Sequence, residues 1–168
     1  MTSIAVPRRV ARKSTGKGVI RDLMSGSAPI ASLSRATTIE RVEIVKAGLP
    51  AAFLVFIAHR MSIPKEQLYA TIGVSRATVD RKVRAKKLLS QDESERALGL
   101  ARLVAQVETM VKESGNPDGF DAARWLAEWL KLPQASLGGK RPAELMDTAD
   151  GRGLVADLVA RSQTGAYA

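Results

Sequence analysis

Leu68 to Val83 holds a run of side chains whose types and spacing suit the reading of a nucleic-acid duplex. A helix-turn-helix needs apolar residues closing its first helix, a tight turn, and a second helix held at a steep angle. Leu68 and Ile72 supply the first, Gly73 the turn, and Val74, Val79 and Val83 the anchors behind the second helix. Glycine suits the turn because a left-handed backbone costs any other residue roughly 1–2 kcal/mol. With Val79 and Val83 turned inward, Arg76, Thr78, Arg81 and Lys82 share the opposite face. Ser75 and Arg76 lie at the helix N-terminus, the end that enters a major groove. Arginine can pair two donors with guanine, and Ser or Thr suits a phosphate or either base edge. Arg84, Lys86 and Lys87 fall where backbone phosphates would pass. Asp80 either accepts from cytosine or orients a neighbouring arginine. Tyr69 departs from the pattern, because a small residue usually stands four positions before the turn glycine. The same spacing also fits an ordinary helical hairpin with a solvated basic face.

Other chemistries find less support. The absence of cysteine excludes disulfides, thiol nucleophiles, zinc fingers and iron–sulfur ligation, and fits a reducing cytoplasm. A single histidine excludes multi-histidine metal sites; His59, at the end of an apolar helix, reads as a packing residue. Gly151-Arg152-Gly153-Leu154-Val155-Ala156 formally fits a dinucleotide fingerprint, but no strand precedes it. Gly16-Lys17 looks like the end of a phosphate loop, yet Ala11 stands where its first glycine would fall. Acid pairs such as Glu93/Glu95 and Asp147/Asp150 lie at expected helix ends without a histidine or metal partner. Catalysis by the chain itself is not expected.

The 168 residues are 45% apolar and 26% charged, ordinary for a globular protein able to bury its own core. Aromatics are only 4%, so that core is built from Ala, Leu, Val and Ile. The net charge of +9 is uneven: residues 1–35 carry +6, residues 36–90 another +6, and residues 91–168 carry −3. A polyanion on one end and a different partner on the other are implied. The longest apolar run, Leu49 to Ala58, is too short to span a membrane and is interrupted by Pro50. The N-terminus lacks the apolar stretch of a secretory signal, and its Arg- and Ser-rich make-up fits a basic nucleic-acid tail as well as a transit peptide.

The elements that must position these residues are all helical. Residues 1–36 show no sustained period and read as a mostly disordered basic tail with a transient turn of helix over Val19 to Met24; its Arg8, Arg9, Arg12, Lys13 and Lys17 serve either phosphate contacts or solubility. Thr37 caps a helix to Ala47, and Gly48-Leu49-Pro50 breaks it. Ala51 to Met61 is a central buried helix. Helices over 64–72 and 75–86 form the helix-turn-helix. Ser90 and Glu93 make a capping box for the longest helix, to Glu113. Its apolar face of Leu98, Ala101, Leu103, Val104, Val107, Met110 and Val111 is either a dimer interface or packed within its own chain. Phe120 to Lys131 is helical, with Phe120, Ala123, Leu126, Trp129 and Leu130 on one side. A loop through Leu137-Gly138-Gly139, a short helix near 142–146, and a last helix capped by Thr148 and reaching Gln163 complete the chain.

The order of several separated blocks is more specific than any one of them. Ile72-Gly73-Val74-Ser75-Arg76-Ala77-Thr78-Val79 is followed by Leu89-Ser90-Gln91-Asp92-Glu93-Ser94-Glu95-Arg96. Next come Trp129-Leu130, Pro133 and Leu137-Gly138-Gly139-Lys140-Arg141-Pro142. Thr148, Gly151, Val155, Leu158 and the terminal Gly165-Ala166-Tyr167-Ala168 complete the series. Over about residues 40–168 this resembles the Xre/MbcA/ParS antitoxins. Lys87 stands where that family often has a glycine, and the extension 1–36 lies outside the resemblance.

The resemblance implies a bacterial cytoplasmic antitoxin of a type II toxin–antitoxin pair. An Xre/Cro-like helix-turn-helix over 37–90 would repress the pair's own promoter. A toxin-binding and dimerisation domain over 91–168 would cover the NAD pocket of a RES-domain toxin, whose fold is similar to ADP-ribosyltransferases. Toxin contacts would come from Trp129, Leu137, Gly138, Gly139, Lys140, Arg141, Pro142, Gly165, Ala166, Tyr167 and Ala168. The partners expected are therefore operator DNA, a RES-domain toxin and a second copy of the chain. A stand-alone regulator without a toxin, or an adaptor that does not bind DNA, are the competing readings.

Overall fold

A computed structural model describes residues 16–25, 30–115 and 118–163. The described residues form eight α-helices and no strand; the only sheet-like pairing among them is an isolated antiparallel bridge between Pro50 and Leu88.

The first three helices are α1 (Gly16–Met24), α2 (Thr38–Ala47) and α3 (Ala52–Arg60). Thr37 starts α2 by accepting from the Glu40 amide at 3.2 Å, while the Glu40 carboxylate takes the Thr37 amide at 2.8 Å. Gly48, at φ +80°, turns the chain into α3, whose Phe53, Leu54, Ile57 and Ala58 are buried. His59 points to solvent instead of packing, because the inward stripe of α3 continues through Met61 and leaves His59 and Arg60 outside it.

Helices α4 (Lys65–Thr71) and α5 (Arg76–Arg84) form the helix-turn-helix, and α6 (Gln91–Glu113) follows after the bridge. The capping box at Ser90 and Glu93 is present, at 3.2 Å and 2.7 Å. Buried Ser94 of α6 accepts the Leu49 amide at 3.0 Å, which ties the start of α3 to the long helix. Then come α7 (Ala122–Trp129), capped by Asp121, short 3-10 turns at Ala135–Leu137 and Pro142–Leu145, and α8 (Ala149–Gln163). Thr148 accepts from the Gly151 amide at 3.0 Å and starts α8 as expected. Gly151 has a packing role there: a Cβ at this position would lie 1.9 Å from the Leu145 carbonyl oxygen.

One core runs through both halves of the chain, with α6 as its spine. Leu98, Ala101, Leu103, Val104 and Val107 are buried, and Met110 and Val111 half-buried, so this face packs within its own chain. It is therefore not free to be the dimer interface. Part of what covers it comes from a segment expected to be disordered. The 3-10 turn Ile30–Arg35 packs along α6, burying Ile30, Ala31 and Leu33, and α1 packs on α2 with Ile20 buried. Glu108 of α6 accepts the Ala31 amide at 2.8 Å and Arg60 at 3.3 Å, which anchors that turn. Disorder is thus corrected for residues 30–36, and the transient turn expected at Val19 to Met24 is a full helix from Gly16, while residues 1–15, with Arg8, Arg9, Arg12 and Lys13, and residues 26–29 lie outside the described residues.

Candidate nucleic-acid and partner-binding surfaces

The recognition helix α5 is closed at both ends by local hydrogen bonds. Ser75 caps it, its hydroxyl accepting the Thr78 amide at 3.4 Å. The helix ends at Arg84, two residues earlier than its pattern predicts. Lys86 adopts φ +51°, with the Lys86 amide on Val83 O at 3.1 Å and the Lys87 amide on Lys82 O at 2.9 Å. This is the Schellman arrangement that glycine usually closes, so the strained position is Lys86 and not Lys87. The turn before α5 uses the same device. Gly73, at φ +67°, donates to Ala70 O at 3.2 Å, and Val74 donates to Tyr69 O at 2.9 Å.

Val79 is buried, with Val74 and Val83 half-buried behind the helix, as the spacing implies. Arg76, Arg81, Arg84, Lys86 and Lys87 are exposed together, and Thr78 is half-buried. Lys82 does not join them. It ion-pairs with Glu93 at the start of α6, and both side chains are largely covered. Burial opposes ionisation of Glu93, but the Lys82 ammonium and the Ser90 amide and hydroxyl outweigh it and hold the carboxyl below its usual range. Lys82, expected among the DNA contacts, is thus set apart from the exposed cations, its charge matched by a carboxylate from the next helix.

Asp80 has a comparable internal role. It accepts from Lys65 at 2.7 Å and from the Tyr69 hydroxyl at 3.4 Å, and lies 3.7 Å from Arg76, which also reaches Glu66 at 3.2 Å. The Lys65 hydrogen bond, against some desolvation, keeps the Asp80 carboxyl below its ordinary value. Tyr69 is buried, and desolvation followed by the nearby Asp80 charge pushes its hydroxyl up to about 12. The phenol that departs from the usual small residue thus bridges the two helices, and Asp80 orients cations in preference to reading a base.

A residue not singled out by its sequence context holds the turn. Arg96 of α6 donates to Ile72 O at 3.2 Å and Gly73 O at 3.0 Å. A Cβ on Gly73 would lie 2.8 Å from this guanidinium and 2.9 Å from Cβ of Asp147, in the loop before α8. Arg96 is four residues after Asp92, with which it pairs at 3.1 Å, and that pairing is all its local sequence displays.

The second surface lies in the other half. After α7, the chain closes a loop on itself: Gln134 donates to Lys140 O at 3.0 Å and Gly139 donates to Gln134 O at 3.0 Å. Gly138 and Gly139 adopt φ +63° and +83°, and nothing lies within 4 Å of a Cβ built on either. Lys140 and Arg141 are exposed, and Leu137 and Trp129 half-buried. Pro142 is buried, and the next amide, Ala143, donates to Leu130 O at 3.0 Å. Pro142 therefore braces the loop on α7 and offers no contact surface of its own. Gly165, Ala166, Tyr167 and Ala168 lie outside the described residues.

The described residues contain no group of three or more His, Cys, Asp or Glu able to hold a metal, and no helix among them is long and apolar enough to cross a membrane. A clamped helix-turn-helix with a basic outer face, joined through a shared spine to a helical domain with an open loop, defines a DNA-binding protein with a second, partner-binding domain. Comparison with known proteins makes both parts specific. Residues 40–102 match the antitoxin Xre-like helix-turn-helix domain, and residues 118–165 the antitoxin Xre/MbcA/ParS C-terminal toxin-binding domain. The Prs ADP-ribosylating antitoxin of Sphingobium sp. (strain YBL2) is 39% identical over 160 residues, covering 94% of this chain and 96% of that protein. Antitoxin Xre of Yersinia enterocolitica serotype O:8 / biotype 1B (strain NCTC 13174 / 8081) is 27% identical over 134 residues, covering 80% of this chain and 84% of that protein. The chain belongs to the Xre/MbcA/ParS antitoxin family. It is an antitoxin of a toxin–antitoxin system, with DNA and a toxin as the partners of its two domains.

Proposed function

We propose that this antitoxin neutralises a RES-domain, ADP-ribosyltransferase-like toxin by covering its NAD pocket, and that it represses its own promoter as a homodimer in the bacterial cytoplasm. On this reading residues 37–90 serve operator binding, and residues 91–168 toxin binding and dimerisation. Arg76, Arg81, Arg84, Lys86 and Lys87 contact the duplex, Ser75 and Thr78 sit at the groove-facing helix end, and Lys82 braces the helix. Gly138, Gly139, Lys140 and Arg141, with Trp129 and Leu137 behind them, meet the toxin, and Gly165 to Ala168 enter its pocket. NAD belongs to the toxin, so the antitoxin holds no cofactor.

The observation that carries this reading is the similarity to an antitoxin whose own name associates it with ADP-ribosylation, extending over 94% of the chain and so through both domains. The exposed double-glycine loop adds a surface that a partner can approach closely. Co-expression with the neighbouring reading frame tests it. The frame alone should arrest growth, the intact antitoxin should restore it, and removal of residues 164–168 should abolish the rescue. Growth arrest unaffected by the antitoxin, or no arrest at all, would favour a stand-alone regulator.

A further inference from the structure

Phe120, Trp125 and Trp129 form a continuous aromatic ridge along α7. The Phe120 and Trp125 ring centroids are 6.1 Å apart, and those of Trp125 and Trp129 are 6.0 Å apart at 19° between planes. The ridge is not simply core. Phe120 precedes the helix and is 42% exposed, the two tryptophans are only half-buried, and Leu132, one turn beyond Trp129, is 56% exposed. Asp121 explains the position of Phe120: as the N-cap it starts α7 at Ala122, which leaves the phenyl ring outside the inward stripe of Ala122, Ala123, Leu126 and Ala127. On its other side Phe120 borders a cleft of about 450 Å³ lined also by Arg60, Glu108 and Val111. At its far end the ridge runs into Leu132-Pro133 and the loop that presents Gly138 and Gly139.

We propose that Phe120, Trp125, Trp129 and Leu132 form the anchoring surface for the toxin, with the double-glycine loop as its continuation. The proposal rests on the toxin-binding reading above and adds Phe120, Trp125 and Leu132, which that reading leaves without a role. Three observations carry it. The ridge lies wholly inside the segment matching a toxin-binding domain. Stacked, half-exposed aromatics beside a cleft are the side chains that dominate protein interfaces, since they bury large area at small entropic cost. The charge flanking the rings is balanced, Asp121 and Glu128 against Arg124 and Lys131, the last paired with Glu128 at 2.8 Å, so the ridge lacks the cationic excess that a nucleic acid needs.

The test uses the full chain and the purified product of the neighbouring reading frame, with a catalytically silent variant if needed. Phe120→Ala and Leu132→Ser change exposed side chains, so folding is retained, and unchanged melting temperatures verify it. Each should weaken toxin binding at least about tenfold, and the pair by more. Val55→Ser, an exposed apolar change on α3, should leave toxin affinity unaltered. All three should bind operator DNA as the parent does. If the double variant binds the toxin as tightly as the parent, the ridge is not the anchor, while the toxin-binding reading stands. If the parent itself shows no binding, both fall. Loss of DNA affinity in the ridge variants with toxin affinity intact would reassign the ridge to nucleic acid and overturn the proposal.

Discussion

Gly73 in the first domain and the Gly138–Gly139 pair in the second occupy the same left-handed region, at φ +67°, +63° and +83°. Their surroundings have little else in common. Gly73 is hemmed in by Arg96 and Asp147, and its carbonyl is held by that same guanidinium. The later pair closes a loop through its own backbone and faces open space. Identical backbone demands thus serve opposite ends. The first turn fixes the angle at which α5 leaves the domain, which a DNA reader requires. The second leaves room at the surface, which a partner's backbone can occupy.

Alanine substitution separates the two most sharply. Gly73→Ala meets both a forbidden φ and two close neighbours, so it should destabilise by about 2–4 kcal/mol in denaturant melts. Gly138→Ala or Gly139→Ala meets the φ penalty alone and should cost roughly 1–2 kcal/mol, with toxin affinity falling further than stability. Equal losses at all three positions would show that the crowding around Gly73 is relieved by simple movement of the Arg96 side chain.

The same contrast, clamped against open, applies to two adjacent cations of α5. Arg81 is exposed, whereas Lys82 is committed to Glu93. Arg81→Ala should weaken operator binding by about 1–3 kcal/mol and relax preference for one base, with the melt unchanged. Lys82→Ala should lower stability and leave base preference intact. Band-shift titrations on operator variants, paired with melts, distinguish them. An operator preference that responds to Lys82 and not to Arg81 would invert the assignment.

What the sequence discloses depends on how far each partner lies along the chain. The cap at Thr37 and the capping box at Ser90 are local rules, and the spacing of Val74, Val79 and Val83 is a one-helix rule, so all were legible. Helical periodicity showed that α6 has a buried face, but not what buries it. The covering turn at Ile30–Arg35 is fixed by Glu108, a residue 77 positions from Ala31, and so a segment without a sustained apolar period looked disordered. The pairing of Lys82 was illegible for a related reason, because Glu93 lies on another helix and reaches it only through the fold. The need for glycine at position 151 appears only when the Leu145 carbonyl is in place.

The polar clamps predict how the first domain responds to pH. Asp80 and Glu93 have folded values below their unfolded ones. Their stabilisation is complete above the ordinary carboxylate range, near pH 4, and disappears as pH falls through the lower folded values. Tyr69 has the opposite sign. Its neutral form is favoured in the fold, so its contribution is intact below about pH 10 and is lost as pH rises toward about 12. Glu93→Gln should flatten the acid limb of a stability–pH profile, and Tyr69→Phe the alkaline limb.

The smallest effect expected comes from the one turn of the recognition unit that lacks its glycine. Lys86 closes the end of α5 at φ +51° with the same pair of hydrogen bonds that Gly73 makes at the end of α4. A side chain there costs about 1 kcal/mol of backbone strain, partly offset by the lower unfolded-state entropy of lysine. Lys86→Gly should therefore stabilise the protein by up to about 1 kcal/mol. It also removes an exposed cation from the row that faces phosphate, so operator affinity should fall while its salt dependence drops by about one slope unit. A gain in stability with an unchanged salt slope would mean that Lys86 carries strain without touching DNA, and that Arg84 and Lys87 suffice for the backbone.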